Sequence, residues 1–157
     1  MPRIVIADTP ELFEEGRKLL LEYQDFLGFD LCFQAFAAEL DGLATMYGPP
    51  RGALLLCEDE GLFVGCVGLR DLGEGVGEMK RMFVRDAHRG RRLGALLLDA
   101  FLDAARDRGY RAIRLDTIPR LDRAIAMYRR AGFVQIPAYR FNPDPEAIFM
   151  QLELPAR

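Results

Sequence analysis

Residues 88–97 read HRGRRLGALL and set three arginines and two glycines directly before an apolar run. A run of this kind predicts a helix opening near residue 92, whose first backbone N–H groups have no partner within the helix. With Gly90 and Gly94 permitting close approach to the main chain, those N–H groups form a cradle for an anion. Arg89, Arg91 and Arg92, supported by Arg85, add charge-assisted donors suited to a diphosphate or a ribose phosphate. His88 lies in the same loop, but nothing in the sequence places a nucleophile or metal beside it, so it reads as solvated or phosphate-facing. A solvated glycine-arginine turn explains the same residues, and the rest of the chain has to decide.

Composition narrows the choice. The 157 residues are half apolar, enough for one compact domain spanning residues 1–157. The formal net charge of -3 argues against a general nucleic-acid binder, so any basic patch is local. Lysine occurs only at Lys18 and Lys80, leaving arginine, which forks onto phosphate and carboxylate, to carry nearly all the positive charge. Serine is absent and His88 is the single histidine, which removes serine triads and sites needing two histidine ligands; no metal site is expected. Cys32, Cys57 and Cys66 form no C-x-x-C pair and read as reduced, buried thiols. No apolar run approaches the roughly 18 residues of a membrane span, and no secretory apolar segment opens the chain, so the expectation is a soluble cytoplasmic protein with no membrane partner.

The elements that must position the loop follow from periodicity. RIVIA (3–7) predicts a strand, and DTPELFEEGRKLLLEYQDFL a helix with a capping residue, an early proline and acids in its first turns. DLCFQAFAAEL predicts a second helix, stopped by YGPPRG. Residues 53–58, 62–70 and 77–85 read as an antiparallel meander with glycine turns. From Leu93 the apolar positions return to helical spacing until Gly109, and RAIRLDT (111–117) is again a strand, so residues 77–117 form a strand, crossover helix and parallel strand. A helix at about 121–131 ends at Gly132, and FVQI and AIFMQLEL are two last strands. The expected fold class is α/β (α+β), a mixed central sheet of about seven strands with helices on both faces.

The loop is neither G-x-x-x-x-G-K-[ST] nor G-x-G-x-x-G, which lowers ATP and dinucleotides. On Arg89 and Gly94 it resembles the pyrophosphate loop of the GNAT superfamily of acetyl-CoA-dependent N-acetyltransferases, Q/R-x-x-G-x-G/A, with Arg92 standing at the middle glycine. GEMKRMFV (77–84) resembles the strand before that loop, and AIAMYRRAGF (124–133) the family's A-x-x-x-Y-x-x-x-G-F segment. Leu121 stands where the family often has asparagine.

The resemblance implies acetyl-CoA as acyl donor, bound by Met82, Phe83 and Val84 on the strand and by Arg89, Gly90, Arg91, Arg92, Leu93, Gly94 and Ala95 on the loop and helix start. It implies Tyr128 as the group that meets the leaving thiolate. A phenol near pKa 10 is a weaker acid than a thiol near about 8.5, so full proton transfer runs uphill by roughly 2 kcal/mol and Tyr128 acts partly as a hydrogen-bond donor. An alkyl amine is almost all ammonium at neutral pH and must lose a proton before it attacks. Glu78, on the strand where some members place a general base, is the candidate to take it, with burial expected to raise its pKa. A strand glutamate paired to Lys80 or Arg81 and a water relay from another carboxylate are the alternatives. Candidates for the acceptor pocket, across the sheet from the cofactor, are Phe29, Asp30, Phe33 and Gln34, with Tyr47, Tyr139 and Arg140; Arg140 suits a substrate carboxylate and hence an amino-acid-like molecule. The leading reading is acetylation of a small primary amine by direct attack in a ternary complex, in a chain that can form a homodimer. Rival readings are a protein lysine or N-terminal acetyltransferase and a non-catalytic acyl-CoA-binding module.

Overall fold

The computed structural model describes residues 1–28 and 36–155. Seven strands run β1 (Arg3–Ile6), β2 (Ala53–Asp59), β3 (Leu62–Gly73), β4 (Val76–Val84), β5 (Ala112–Thr117), β6 (Val134–Ile136) and β7 (Ile148–Glu153). The helices are α1 (Pro10–Leu27), α2 (Phe36–Asp41), α3 (Leu43–Met46), α4 (Leu93–Asp107) and α5 (Asp122–Ala131), with a short 3-10 turn at Asp86–His88. All seven strands share one sheet in the order β1-β2-β3-β4-β5-β7-β6, and only β4 with β5 is parallel. The meander, the crossover through α4 and the final antiparallel strands therefore follow the sequence periodicity, with β3 three residues longer than expected. The described part of the second predicted helix, residues 36–40, is helical: α2 runs on to Asp41, and α3 follows Gly42; the rest of that prediction lies outside the described residues. No helix among the described residues is long and apolar enough to cross a membrane.

Helices cover both faces, so β2 reads as an almost unbroken apolar run rather than an alternating one. Leu55 and Cys57 join the core under α4 with Leu97, Phe101 and Ile113, whereas Leu54 and Leu56 join the core under α1 with Leu19, Leu20 and Phe83. The α1 start matches its residues: Thr9 accepts a hydrogen bond from Leu12 N at 3.2 Å and Pro10 opens the helix. The Cys57 and Cys66 thiols are fully buried, and burial pushes Cys66 up to about 12, which makes it an unreactive packing residue. Cys32 lies outside the described residues.

Strand β4 carries the irregularity that shapes the site. Pairing with β3 shifts between Cys66 and Gly68, so Arg81 and Met82 together face one residue of β3, and Arg81 adopts a left-handed φ of 61°. A non-glycine residue there costs roughly 1–2 kcal/mol of backbone strain. A buried ion pair offsets it: Arg81 Nη2 and Nε donate to Glu39 Oε1 at 2.8 Å and Oε2 at 3.0 Å, and the Tyr47 hydroxyl donates to Oε2 at 2.8 Å. The Tyr47 ring lies so close over Gly68 that a Cβ there would sit 2.6 Å from Cε1, so only glycine fits beneath it.

Burial raises the Glu39 pKa, but the Arg81 hydrogen bonds and charge, with Lys80 and Tyr47, outweigh it and hold the carboxyl below its usual 4.5. The stabilisation is therefore complete above pH 4.5 and is lost as pH falls through the lower folded-state value. Glu39→Gln is expected to lower unfolding free energy by about 3–5 kcal/mol near neutral pH, because Arg81 is left buried without its ionic partner. Urea denaturation at neutral and acidic pH checks this, with the gap between variant and parent narrowing in acid.

Candidate active site

Parallel pairing of β4 with β5 covers only Val76↔Ala112, Gly77↔Ile113 and Glu78↔Arg114. Past Glu78 the two strands diverge, while β4 stays paired to β3 and β5 to β7. The wedge between them opens into a cavity of about 820 Å³ lined by Met79–Val84 of β4, Leu115–Thr117 of β5 and the starts of α4 and α5.

The predicted loop borders this cavity. Met82, Phe83 and Val84 line it from the strand, and Arg89, Gly90, Arg92, Leu93, Gly94 and Ala95 from the loop and helix start. Arg92 caps α4 in the left-handed conformation, φ 63° and ψ 19°, so an arginine holds the backbone shape for which the family motif uses glycine. Gly90 is also left-handed, at φ 83°. A Cβ on Gly94 would meet Met127 only at ordinary contact distances of 3.7 and 3.8 Å, so internal packing does not demand glycine there; the open main chain faces the cavity. The left-handed Gly90 and the first N–H groups of α4 make this corner of the cavity suited to an anion.

The arginines divide. Arg89 donates to Val84 O at 2.9 Å and Asp86 Oδ1 at 3.0 Å, with its guanidinium 4.2 Å from the Phe26 ring centre, so it braces the loop while lining the cavity. Arg91 does not line it: Nη1 pairs with the buried Asp59 Oδ2 at 2.5 Å and ties the loop to the end of β2. Arg85 is likewise engaged, gripping Glu22 of α1 with bonds of 2.8 and 2.6 Å. His88 lines the cavity.

Tyr128 of α5 lines the cavity, 5% exposed and packed on Phe133 at 5.7 Å. Burial pushes its phenol up, which makes proton donation harder and leaves a hydrogen bond as its easier contribution. Glu78 differs from expectation. Burial alone raises its pKa, yet the Lys80 charge, the Tyr139 hydrogen bond, Arg140 and Arg70 together hold it below its usual value. Its Oε2 accepts from the Tyr139 hydroxyl at 2.6 Å and Arg140 Nη1 at 3.1 Å, and it is fully buried and not among the cavity-lining residues. Glu78 thus anchors the segment between β6 and β7, and Tyr139 and Arg140 spend their polar groups on it. Phe29, Asp30, Phe33 and Gln34 lie outside the described residues. Tyr47 is buried under α2 on Glu39.

Sequence reasoning missed Lys80, Asp116 and Asn142, which also line the cavity, and Arg123 and Arg130 of α5. A run of charged residues, Glu78, Lys80 and Arg81, inside a largely buried strand was the available signal for Lys80; Asp116 becomes visible only when β5 is aligned with β4.

Residues 13–133 match the Acetyltransferase (GNAT) family. The chain belongs to the GNAT family. An N-acetyltransferase of Schizosaccharomyces pombe whose own role is uncharacterised is 37% identical over 153 residues, 96% of this chain and 94% of the relative. An IAA acetyltransferase of Azospirillum brasilense is 35% identical over 156 residues, 98% of this chain and 100% of the relative. A Salmonella typhimurium structure holding its cofactor acetyl-CoA superposes with a TM-score of 0.69 at 20% identity, covering 100% of this chain and 96% of that one. The GNAT member described here is therefore an N-acetyltransferase of a family that uses acetyl-CoA, on the GNAT fold.

Because this GNAT chain keeps the glycine-type backbone with Arg92, replacing it tests the strain directly. Arg92→Gly is expected to hold or raise the urea midpoint, whereas Arg92→Val, β-branched in a left-handed position, is expected to lower stability by about 1–2 kcal/mol.

Proposed function

We propose that the protein acetylates the primary amine of a small molecule by direct attack in a ternary complex. The observation that carries this reading is the β4–β5 wedge, which brings the loop cradle, the free edge of β4 and Tyr128 to one cavity. Acetyl-CoA, when bound, supplies the activated acetyl group as a thioester. Arg92, Gly90 and the first N–H groups of α4 hold its phosphates, and Arg123 and Arg130 add positive charge along the same wall. Main-chain groups of Met82–Val84, on the strand edge that β5 leaves unpaired, face the thioester oxygen. Tyr128 donates a hydrogen bond toward the sulfur.

A small acceptor is favoured over a peptide by the segment between β6 and β7. Tyr139 and Arg140 fasten it to Glu78, and Asn142 Nδ2 donates to Asp116 Oδ2 at 3.0 Å. The segment walls the acceptor side instead of leaving an open groove. Glu78 is ionised throughout the working pH range, and its part is to position this wall; the acceptor's proton leaves through another carboxylate or water.

Tyr128→Phe is expected to reduce acetyl transfer by about a hundredfold or more while acetyl-CoA affinity stays at the parent value. Calorimetric titration with acetyl-CoA, using ATP and adenosine 3′,5′-bisphosphate as controls, and CoA release with a panel of small amines check both halves. An unchanged rate removes Tyr128 from the chemistry, and acetylation of peptides alone replaces the small-amine acceptor.

A further inference from the structure

Lys80 and Asp116 stand opposite each other where the sheet opens. Glu78 and Arg114 are the last register partners of β4 and β5, so Lys80 and Asp116, two residues further on each strand, are the next pair on the same face. Met79 and Leu115 turn to the core under α4, which places Lys80 and Asp116 on the opposite, α1-side face. Both line the cavity, and no ion pair joins them.

Their surroundings leave each side chain with bonding capacity to spare. Lys80 is 7% exposed, and its Nζ lies 4.0 Å from Glu78 Oε1, beyond hydrogen-bond range. Glu78 gives Oε2 to Tyr139 and Arg140, and its Oε1, which has no hydrogen bond, stands 3.5 Å from Arg70 Nε and 4.0 Å from Lys80, while Arg81 is held by Glu39. The Lys80 ammonium thus keeps only a long ion pair to Glu78, with no hydrogen bond to a counter-ion, and burial followed by the Arg81 charge depresses it to about 8 despite the opposing Glu78 charge. Asp116 gives one oxygen to Asn142. A buried cation and a carboxylate on the two lips of one opening are complementary to a ligand bearing both charges.

We propose that Lys80 and Asp116 clamp a zwitterionic acceptor, an amine that carries a carboxylate, with Lys80 binding the carboxylate and Asp116 the ammonium. One available ammonium on the β4 side matches one negative charge. The arrangement holds the acceptor nitrogen at the mouth of the wedge, on the face opposite α4. This inference rests on the small-amine reading and narrows it to amino carboxylates.

The test measures CoA release at saturating acetyl-CoA with the common amino acids, β-alanine and 4-aminobutyrate, each beside its carboxamide. At least one acid is expected to exceed its amide in kcat/KM by about tenfold or more, the loss expected when a charge-assisted bond is removed. Lys80→Gln is expected to abolish that preference through KM, and Lys80→Arg to restore part of it. Asp116→Asn is expected to raise KM for acid and amide alike. The acid-to-amide ratio is read within one protein preparation, so a partly unfolded variant does not mimic the result. Amides used as well as acids, or a preference surviving Lys80→Gln, overturn the clamp while leaving a small-amine transferase standing. Refusal of every small amine together with acetylation of peptide N-termini overturns the small-amine reading and the clamp with it.

Discussion

The buried ion pair between Arg81 and Glu39 is the constraint on which the site geometry depends. Two charges taken out of water are tolerated only when their geometry and remaining hydrogen bonds are complete, and here the guanidinium fork, both carboxylate oxygens and the Tyr47 hydroxyl meet that condition. The pair stabilises a left-handed arginine within a strand, and so maintains the bulge. A bulge bends and twists its strand, and this one lies just past the point where β4 parts from β5. It also resets the alternation, so that Lys80 and Arg81 turn to one face in succession. One interaction in the core of the α1 side thereby sets the opening of the cavity and the direction of the lysine within it.

Around the opening, charge is divided between two faces of the sheet. On the α4 side, helix N–H groups and arginines gather positive potential along the cavity wall. Across the sheet, Lys80, Tyr139, Arg140 and Arg70 surround Glu78 and hold its pKa below the usual value, so its carboxylate ties several side chains together. That carboxylate fastens the segment between β6 and β7 to the sheet. The outcome is a cavity whose two walls are built by different mechanisms: one by exposed main chain, the other by side chains that are nearly all committed to each other.

Arg92 shows how a motif survives a substitution. The residue before α4 sits in the left-handed region, where glycine is the unstrained choice, and arginine adopts that region here at a modest backbone cost. The added side chain lies at the cavity rim, where its charge faces the same space as the helix N-terminus. Arg91, its neighbour in the motif, turns the other way to Asp59, although the two are indistinguishable in sequence.

Much of the fold was legible because periodicity is local. The meander, the crossover helix and the last strands are each written in spacings of two or of three and four, and the parallel β4–β5 pair follows from the length of the crossover. That the loop and Tyr128 come to one cavity follows from short local segments, the turn into α4 and the helix before Gly132, whose positions periodicity gives. What the sequence did not reveal was which charges neutralise each other. Glu78 reads as a base until Tyr139 and Arg140, more than sixty residues later, are seen to hold it. Lys80 reads as its close partner, yet the structure leaves the two in a long 4.0 Å ion pair without a hydrogen bond. The sequence alone determined the elements and the cradle, since these depend on backbone geometry and neighbouring residues. Tertiary structure decided the partners and protonation of the buried ionisable groups, since electrostatics depend on distance in space and on burial, and neither is encoded in spacing along the chain.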